Sequence, residues 1–281
     1  MLEVIFLAVL AFMWLAFATI QDVRTREIAN WLSFSLIIFA LGFRFFYSIF
    51  NGGEFGFFYQ GLIWLGIMFV VGNLFYYMRM FAGGDAKLMI ALGSVLSFSH
   101  NFYTNLRIFG VFFFLFLFVG AIYGFIYSWV LTLKNFKGFK IEFSKKINTN
   151  KKIIYPVMLI GVILMVSGFY SQFLFMIGLF VLILPYFYFY AKAVDEVCMV
   201  KKIKTIKLTE GDWLYKDLKI GKKLIKATWS GLSKSDIEFI RSKQKSILIR
   251  QGIPFTPVFL ISFSILAFIY IFKYSLWNSF W

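Results

Sequence analysis

Long uninterrupted apolar segments constrain this chain more than any other feature. Runs of membrane-spanning length cover residues 4–20, 31–50, 57–78, 107–133, 173–192 and 254–272, and two shorter runs cover 86–99 and 153–168. A helix of about 20 apolar residues crosses the hydrocarbon core of a bilayer. Hydrophobic residues make up 61% of the 281, which is more apolar surface than a soluble domain of this length can bury. The sequence therefore predicts an all-α polytopic membrane protein with six to eight transmembrane helices.

The placement of Lys and Arg predicts which side of the membrane each loop occupies. If all eight runs cross, one side receives the loops 21–30, 79–87, 134–152 and 193–253. Together with Lys192 at the membrane edge, these loops hold all but three of the 29 basic residues. The exceptions are Arg44, Arg107 and Lys273, which lie near span ends, where a long side chain can reach water. Basic loops stay in the cytoplasm, so we expect a multi-pass cell-membrane protein with both termini outside.

The same pattern predicts a domain organisation. We expect a transmembrane domain over residues 1–193, a cytosolic insertion over 194–253, and a last transmembrane helix with an outer tail over 254–281. The insertion mixes strand-like alternation with an amphipathic helix, for which Ser233 is the predicted N-cap, so it reads as a small α+β unit. Its many lysines predict contact with anionic lipid head groups. We expect no nucleic-acid partner, because no groove-reading element accompanies them.

Two acidic residues stand at the cytoplasmic ends of early spans. Asp22 directly follows the first apolar run, and Asp85 precedes the run 86–99. Carboxylates at the edge of an apolar zone are costly and therefore suggest function. Two carboxyl groups that share a site suit hydrolysis, because one can be ionised and accept a proton from water while the other is protonated and polarises a carbonyl. The sequence therefore predicts Asp22 and Asp85 as a catalytic pair.

The glycines before Asp85 allow two interpretations. Gly83 and Gly84 give the backbone access to conformations closed to other residues and let a substrate chain pass close by. Alternatively, Gly-Gly-Asp is only a turn, with Asp85 as the N-cap of a helix that begins at Ala86. The spacing alone leaves both open.

The chain lacks the residues that other hydrolytic mechanisms and structural metal sites need. The chain has a single cysteine, Cys198, and a single histidine, His100, so it can form no internal disulfide and no Cys/His zinc cluster. The predicted topology places the two on opposite sides of the membrane, and no acid lies near His100, which disfavours Cys/His and Ser/His/Asp catalysis. No phosphate-binding glycine loop of the Walker type is found. We expect no metal and no cofactor.

Two motifs resemble the type IV prepilin peptidase family of membrane aspartic peptidases, specifically its archaeal preflagellin and prepilin branch. "DVRTREIANWL" is similar to the family's first site and implies that Asp22 is the first catalytic aspartate, with Asn30 as the motif asparagine. "AGGDAKLMIALG" is similar to the Gly-x-Gly-Asp motif followed by a lysine, here Asp85 and Lys87. Ala82 replaces the motif's first glycine. "IRQGIPFTPVFLI" is similar to the region before the last helix of the archaeal branch.

The resemblance implies a specific activity: endoproteolysis of the short basic leader of prepilin-like or preflagellin (archaellin) precursors at the cytoplasmic face, with Gly83 and Gly84 shaping access. Lys87 is either a charge partner in the site or a lipid-facing anchor. The paired CxxC loop of methylating bacterial relatives is absent, which implies peptidase activity alone. Two rival functions remain: a proton- or cation-coupled transporter, and a presenilin-like intramembrane protease. The oligomeric state and the choice between pilin and archaellin stay open.

Overall fold

The chain folds almost entirely into helices. The computed structural model describes residues 2–221 and 223–272, and it is 75% helical. The helices are α1 (Leu2–Thr25), α2 (Asn30–Phe50), α3 (Gly56–Tyr77), α4 (Gly83–Leu96), α5 (Phe102–Lys134), α6 (Phe136–Thr149), α7 (Lys151–Val166), α8 (Gln172–Val197), α9 (Lys234–Lys243) and α10 (Thr256–Ile271). The strands are β1 (Val200–Lys204), β2 (Trp213–Leu214), β3 (Leu218–Ile220), β4 (Lys223–Ile225) and β5 (Ser246–Arg250).

Among the described residues, six helices are long and apolar enough to cross a membrane. They are α1, α2, α3, α5, α8, and α7 with the turn that follows it up to Phe169. The predicted polytopic all-α membrane fold with a small strand region near the C-terminus is confirmed. Two of the predicted runs form shorter helices, since α4 has 14 residues and α10 has 16.

The chain divides into two compact units. One comprises Met1–Gly124 together with Ile253–Trp281, and the other comprises Phe125–Gly252. The domain boundaries at residues 193 and 253 remain predictions from the sequence.

The short helix α4 is the centre of the first unit. It packs against α1, α2 and α3, and α1 in turn packs against α10. Glycines bring α4 and α3 into backbone contact: a Cβ added to Gly93 would lie 2.6 Å from the Trp64 carbonyl oxygen, and one added to Gly72 would lie 2.8 Å from the Ile90 side chain. Because α4 is apolar on nearly every face, it can be enclosed by its neighbours. Its fixed position determines where its N-terminal residue Asp85 points.

Arg44 anchors the opposite end of α4. Its guanidinium donates to the carbonyl oxygens of Ser94 (2.9 Å), Val95 (3.1 Å) and Ser97 (2.7 Å) at the end of the helix, and to that of Phe57 (2.9 Å). The side chain is completely buried. The expectation that Arg44 reaches water is therefore wrong, because the unpaired carbonyls at the end of α4 supply its polar partners inside the bundle. Lys273, predicted to reach water in the same way, lies outside the described residues.

The second unit combines a helical hairpin with small sheets. Helices α7 and α8 pack against each other, and α6 packs on α8. The strands form an antiparallel sheet in the order β1–β5–β2 and a separate β3–β4 hairpin. Helix α9 begins after Ser233, whose side-chain oxygen accepts a hydrogen bond from the Asp236 backbone N–H at 3.2 Å. This is the N-cap that the sequence predicts.

Candidate active site

Asp22 lies in the last turn of α1 and is buried in the first unit. Only 7% of it is exposed, and it is the only buried acidic side chain in the described part of the chain. Its Oδ2 atom accepts a hydrogen bond from the backbone N–H of Thr256 at 3.1 Å and a second, short one from the Thr256 hydroxyl. Thr256 is the fully buried first residue of α10. One carboxylate oxygen is thus held by two donors from a distant part of the chain.

The turn after α1 directs the first motif towards α4. Arg26 adopts a left-handed conformation (φ +64°) and its backbone N–H donates to the Asp22 carbonyl at 2.9 Å, which terminates the helix. The Gln21 side chain then accepts a hydrogen bond from the Ala29 backbone N–H at 3.1 Å. This fixed turn places Ile28 against Gly84.

Asp85 is the third residue of α4, because the helix begins at Gly83 with Ala82 at the N-cap. The alternative in which Asp85 is the N-cap of a helix from Ala86 is therefore wrong. Ala82 has φ −70° and ψ 160°, which any L-residue adopts readily. An alanine in place of the motif's first glycine thus needs no unusual backbone geometry here.

The structure brings Asp22 and Asp85 within electrostatic range of each other. Asp85 precedes the apolar part of α4 and lies outside the six candidate spans. Burial raises the pKa of its carboxyl to about 7, and the negative charge of Asp22 acts in the same direction, while the Ala82 backbone N–H partly opposes the shift. The two carboxyl groups therefore have different surroundings: Asp22 is held by Thr256, and Asp85 has a raised pKa, so it loses its proton only as the pH rises through about 7.

Close packing explains why position 84 is a glycine. A Cβ added to Gly84 would lie 3.1 Å from the Ile28 Cβ, whereas one added to Gly83 would meet only the Tyr76 ring at 3.8 Å. Both glycines lie in the helix, and neither has a positive φ. The expectation that they adopt conformations closed to other residues is therefore wrong. The absent side chain of Gly84 instead lets the two motif segments approach each other.

Asn30 and Lys87 form a direct bridge between the two motifs. The Lys87 ammonium donates to the Asn30 side-chain oxygen at 2.7 Å, which links the start of α2 to the first turns of α4. The structure thus brings the four polar residues that the sequence singles out together in two pairs, Asn30 with Lys87 and Asp22 with Asp85. Across residues 2–221 and 223–272 no three His, Cys, Asp or Glu side chains are grouped as a metal site would require.

Thr256 is a site residue that sequence reasoning missed. The stretch "IRQGIPFTPVFLI" is similar to a family region, but nothing in it indicates which side chain meets Asp22. The contact joins residues 234 positions apart. Prolines on both sides, Pro254 and Pro257, are typical of a helix start and are the one local signal that position 256 begins a helix.

Comparison with known proteins agrees with these features. Residues 9–129 match the model of the type IV leader peptidase family, and the match contains both aspartates and both motif glycines. No curated protein and no solved structure matches the chain. Over residues 9–129 the chain is therefore similar to the type IV leader peptidase family.

Proposed function

We propose that this chain is an aspartic-type endopeptidase in which Asp22 and Asp85 are the catalytic pair. The observation that carries the proposal is the convergence of these two carboxyl groups, from separate motifs, in one site where Asp22 is buried and Asp85 is half-buried. Enzymes that divide acid and base roles between two carboxyl groups do so through such differences in surroundings.

Each carboxyl group has a definite part in the proposed reaction. Asp22 Oδ2 is occupied by Thr256, so Asp22 Oδ1 accepts a proton from the attacking water. Asp85, protonated because its pKa is about 7, donates a hydrogen bond to the oxygen of the scissile carbonyl. Water oxygen bonds to the carbonyl carbon to give a tetrahedral intermediate. The intermediate collapses as the C–N bond breaks, and the proton held by Asp22 passes to the leaving amine.

The proposed substrates are the short basic leaders of pilin-like or archaellin-like precursors, cut at the cytoplasmic face. The concentration of Lys and Arg in one set of loops supports this side of the membrane, because both aspartates lie at the ends of helices that face those loops. The cleavage point of such a precursor lies at the membrane surface, because its hydrophobic helix lies in the bilayer and its basic leader remains outside. This is the depth at which we expect the two aspartates.

Membrane fractions with the wild-type chain or single variants test the proposal. Candidate pilin and archaellin precursors are supplied, and cleavage is followed by mass. Asp22→Asn and Asp85→Asn should each lower the rate by about 10²-fold or more, the usual contribution of a positioned acid or base. Glu27→Gln is the matched control, because Glu27 is an exposed acid in the segment that follows α1, five residues after Asp22. Full processing by either aspartate variant, or equal loss in the Glu27 variant, would refute the assignment. Comparing cleavage of the two precursor types also shows whether the protein processes pilins or archaellins.

A further inference from the structure

The α7–α8 hairpin is closely packed at one point. A Cβ added to Gly178 would lie 2.4 Å from the Met165 backbone nitrogen, and one added to Gly161 would lie 2.9 Å from that of Leu182. No side chain separates the helices there. Along the rest of the hairpin their spacing is set by larger residues, which leaves room for a groove nearer the end where α7 begins and α8 finishes.

A cavity of about 350 Å³ lies between the helices at that end. Its walls are apolar and come from one turn of α7 and one turn of α8: Ile153, Ile154, Val157, Leu184, Pro185 and Phe189. Its rim is polar and carries Lys146, Asn150, Tyr188 and Lys192. The groove is therefore amphipathic along its length, with two cations at one end and hydrocarbon surface at the other.

The rim has an excess of positive charge. Lys146 pairs with Glu142 at 3.3 Å, and this pair is mostly shielded, with 19% and 24% of the side chains exposed. The exposed Lys192 has its ammonium 4.7 Å above the Tyr188 ring, an uncharged partner. The nearby Asp195 is compensated by Arg250 at 3.3 Å. Within the described residues Lys192 thus forms no ion pair with a carboxylate. The Glu196 carboxylate, which accepts a hydrogen bond from the Tyr215 hydroxyl, lies within electrostatic range of Lys146. The unpaired Lys192 ammonium fits a ligand with a negative charge.

The surroundings of the groove are those of a lipid-facing surface. Only 11% of the apolar window of α7 and 17% of that of α8 is buried in the protein. Large side chains such as Leu159 and Phe180 are more than half exposed along the same helices. Acyl chains therefore contact this hairpin wherever it lies in the bilayer.

We propose that the groove is a binding site for one phospholipid with a monoanionic phosphodiester head group. The phosphate lies at the rim between the Lys146 and Lys192 ammonium groups, and one acyl chain lies between α7 and α8 along Val157 and Leu184. Basic pockets between membrane helices on the cytoplasmic side are suited to such head groups. This site is separate from the proposed peptidase chemistry and does not depend on it.

The test uses the purified full-length protein in neutral detergent. Native mass spectrometry follows a titration with phosphatidylglycerol, and phosphatidylcholine with the same acyl chains serves as the zwitterionic comparison. One phosphatidylglycerol molecule should bind more tightly than phosphatidylcholine. The double variant Lys146→Gln with Lys192→Gln should weaken phosphatidylglycerol binding by roughly 10- to 30-fold. Glycerophosphoglycerol, which has the same phosphodiester head group and no acyl chain, should not displace the lipid.

The matched control is Lys137→Gln with Lys140→Gln. Both lysines are exposed on α6 and neither lines the groove. A specific site predicts unchanged lipid binding in this control. Equal weakening in both double variants would mean diffuse attraction to anionic lipid, and equal affinity for phosphatidylcholine would mean an apolar groove only. Displacement by glycerophosphoglycerol would mean a simple anion site. Any of the three overturns the proposal.

Discussion

Replacing Thr256 by valine removes one hydrogen bond from Asp22 and preserves the other. The backbone N–H of residue 256 still donates at 3.1 Å, while the hydroxyl donor is lost. The site is fully buried and valine has nearly the shape of threonine, so no water takes the place of the hydroxyl. A hydrogen bond to a charged group contributes about 1.5–3 kcal/mol. If the hydrogen bond stabilises the transition state by this full amount, its loss lowers the rate roughly 10- to 150-fold.

Steady-state cleavage of a precursor that the wild-type enzyme processes measures this loss. We expect kcat to fall and KM to change by less than about twofold, because Thr256 contacts the catalytic carboxylate and leaves substrate binding alone. Thr256→Ser keeps the hydroxyl and should recover most of the rate.

The matched control for this prediction is Ser262→Ala on the same helix. Ser262 is also fully buried, and its hydroxyl has no hydrogen-bond partner among the described residues. Its substitution should leave kcat unchanged. A wild-type rate for Thr256→Val, or the same fall in the Ser262 variant, would refute the claim that Thr256 positions Asp22.

Three further predictions concern the same unit. Gly84→Val should lower cleavage at least tenfold, because the added side chain meets Ile28 at about 3.1 Å, and Ile28→Ala in the same chain should restore part of the rate. The cleavage rate should fall as pH rises through about 7, because the raised pKa of Asp85 keeps its proton below that value and loses it above; a rate–pH profile from pH 5 to 9 measures this. Arg44→Met should lower the thermal unfolding temperature strongly, because it leaves buried carbonyl groups at about 1–3 kcal/mol each without a donor, and Arg44→Lys should recover little.

The hydrophobic pattern was sufficient to predict the apolar helices of the chain, but it missed α6 (Phe136–Thr149), which has no apolar run and lies in the predicted loop 134–152. The runs 31–50 and 57–78 coincide almost residue for residue with α2 and α3. This works because a spanning segment must be apolar over its whole length, so hydropathy alone locates it. The pattern cannot tell a spanning helix from a short helix enclosed by others, and the run 86–99 belongs to the second kind as α4.

Arg44 illustrates a limit of sequence reasoning about charge. From sequence, a lone arginine near the end of a span suggests a side chain that reaches water. Its actual partners are carbonyls about 50 residues later in the chain, and they are available because α4 ends inside the protein. No local pattern around Arg44 reports where a different helix stops. The same argument applies wherever a helix is too short to reach the interface.

Motif spacing was a better guide to the candidate site, but it covered only part of it. The motifs single out Asp22, Asn30, Asp85 and Lys87, and these residues interact in pairs across the two motifs, Asn30 with Lys87 and Asp22 with Asp85. The family match ends at residue 129, whereas the two donors that hold Asp22 belong to Thr256. The environment that would make Asp22 the base therefore comes from a segment outside the matched region. It follows that two chains with identical aspartate motifs need not share the same division between acid and base. In this chain, Thr256 at the start of α10 donates both of the hydrogen bonds that hold Asp22 Oδ2.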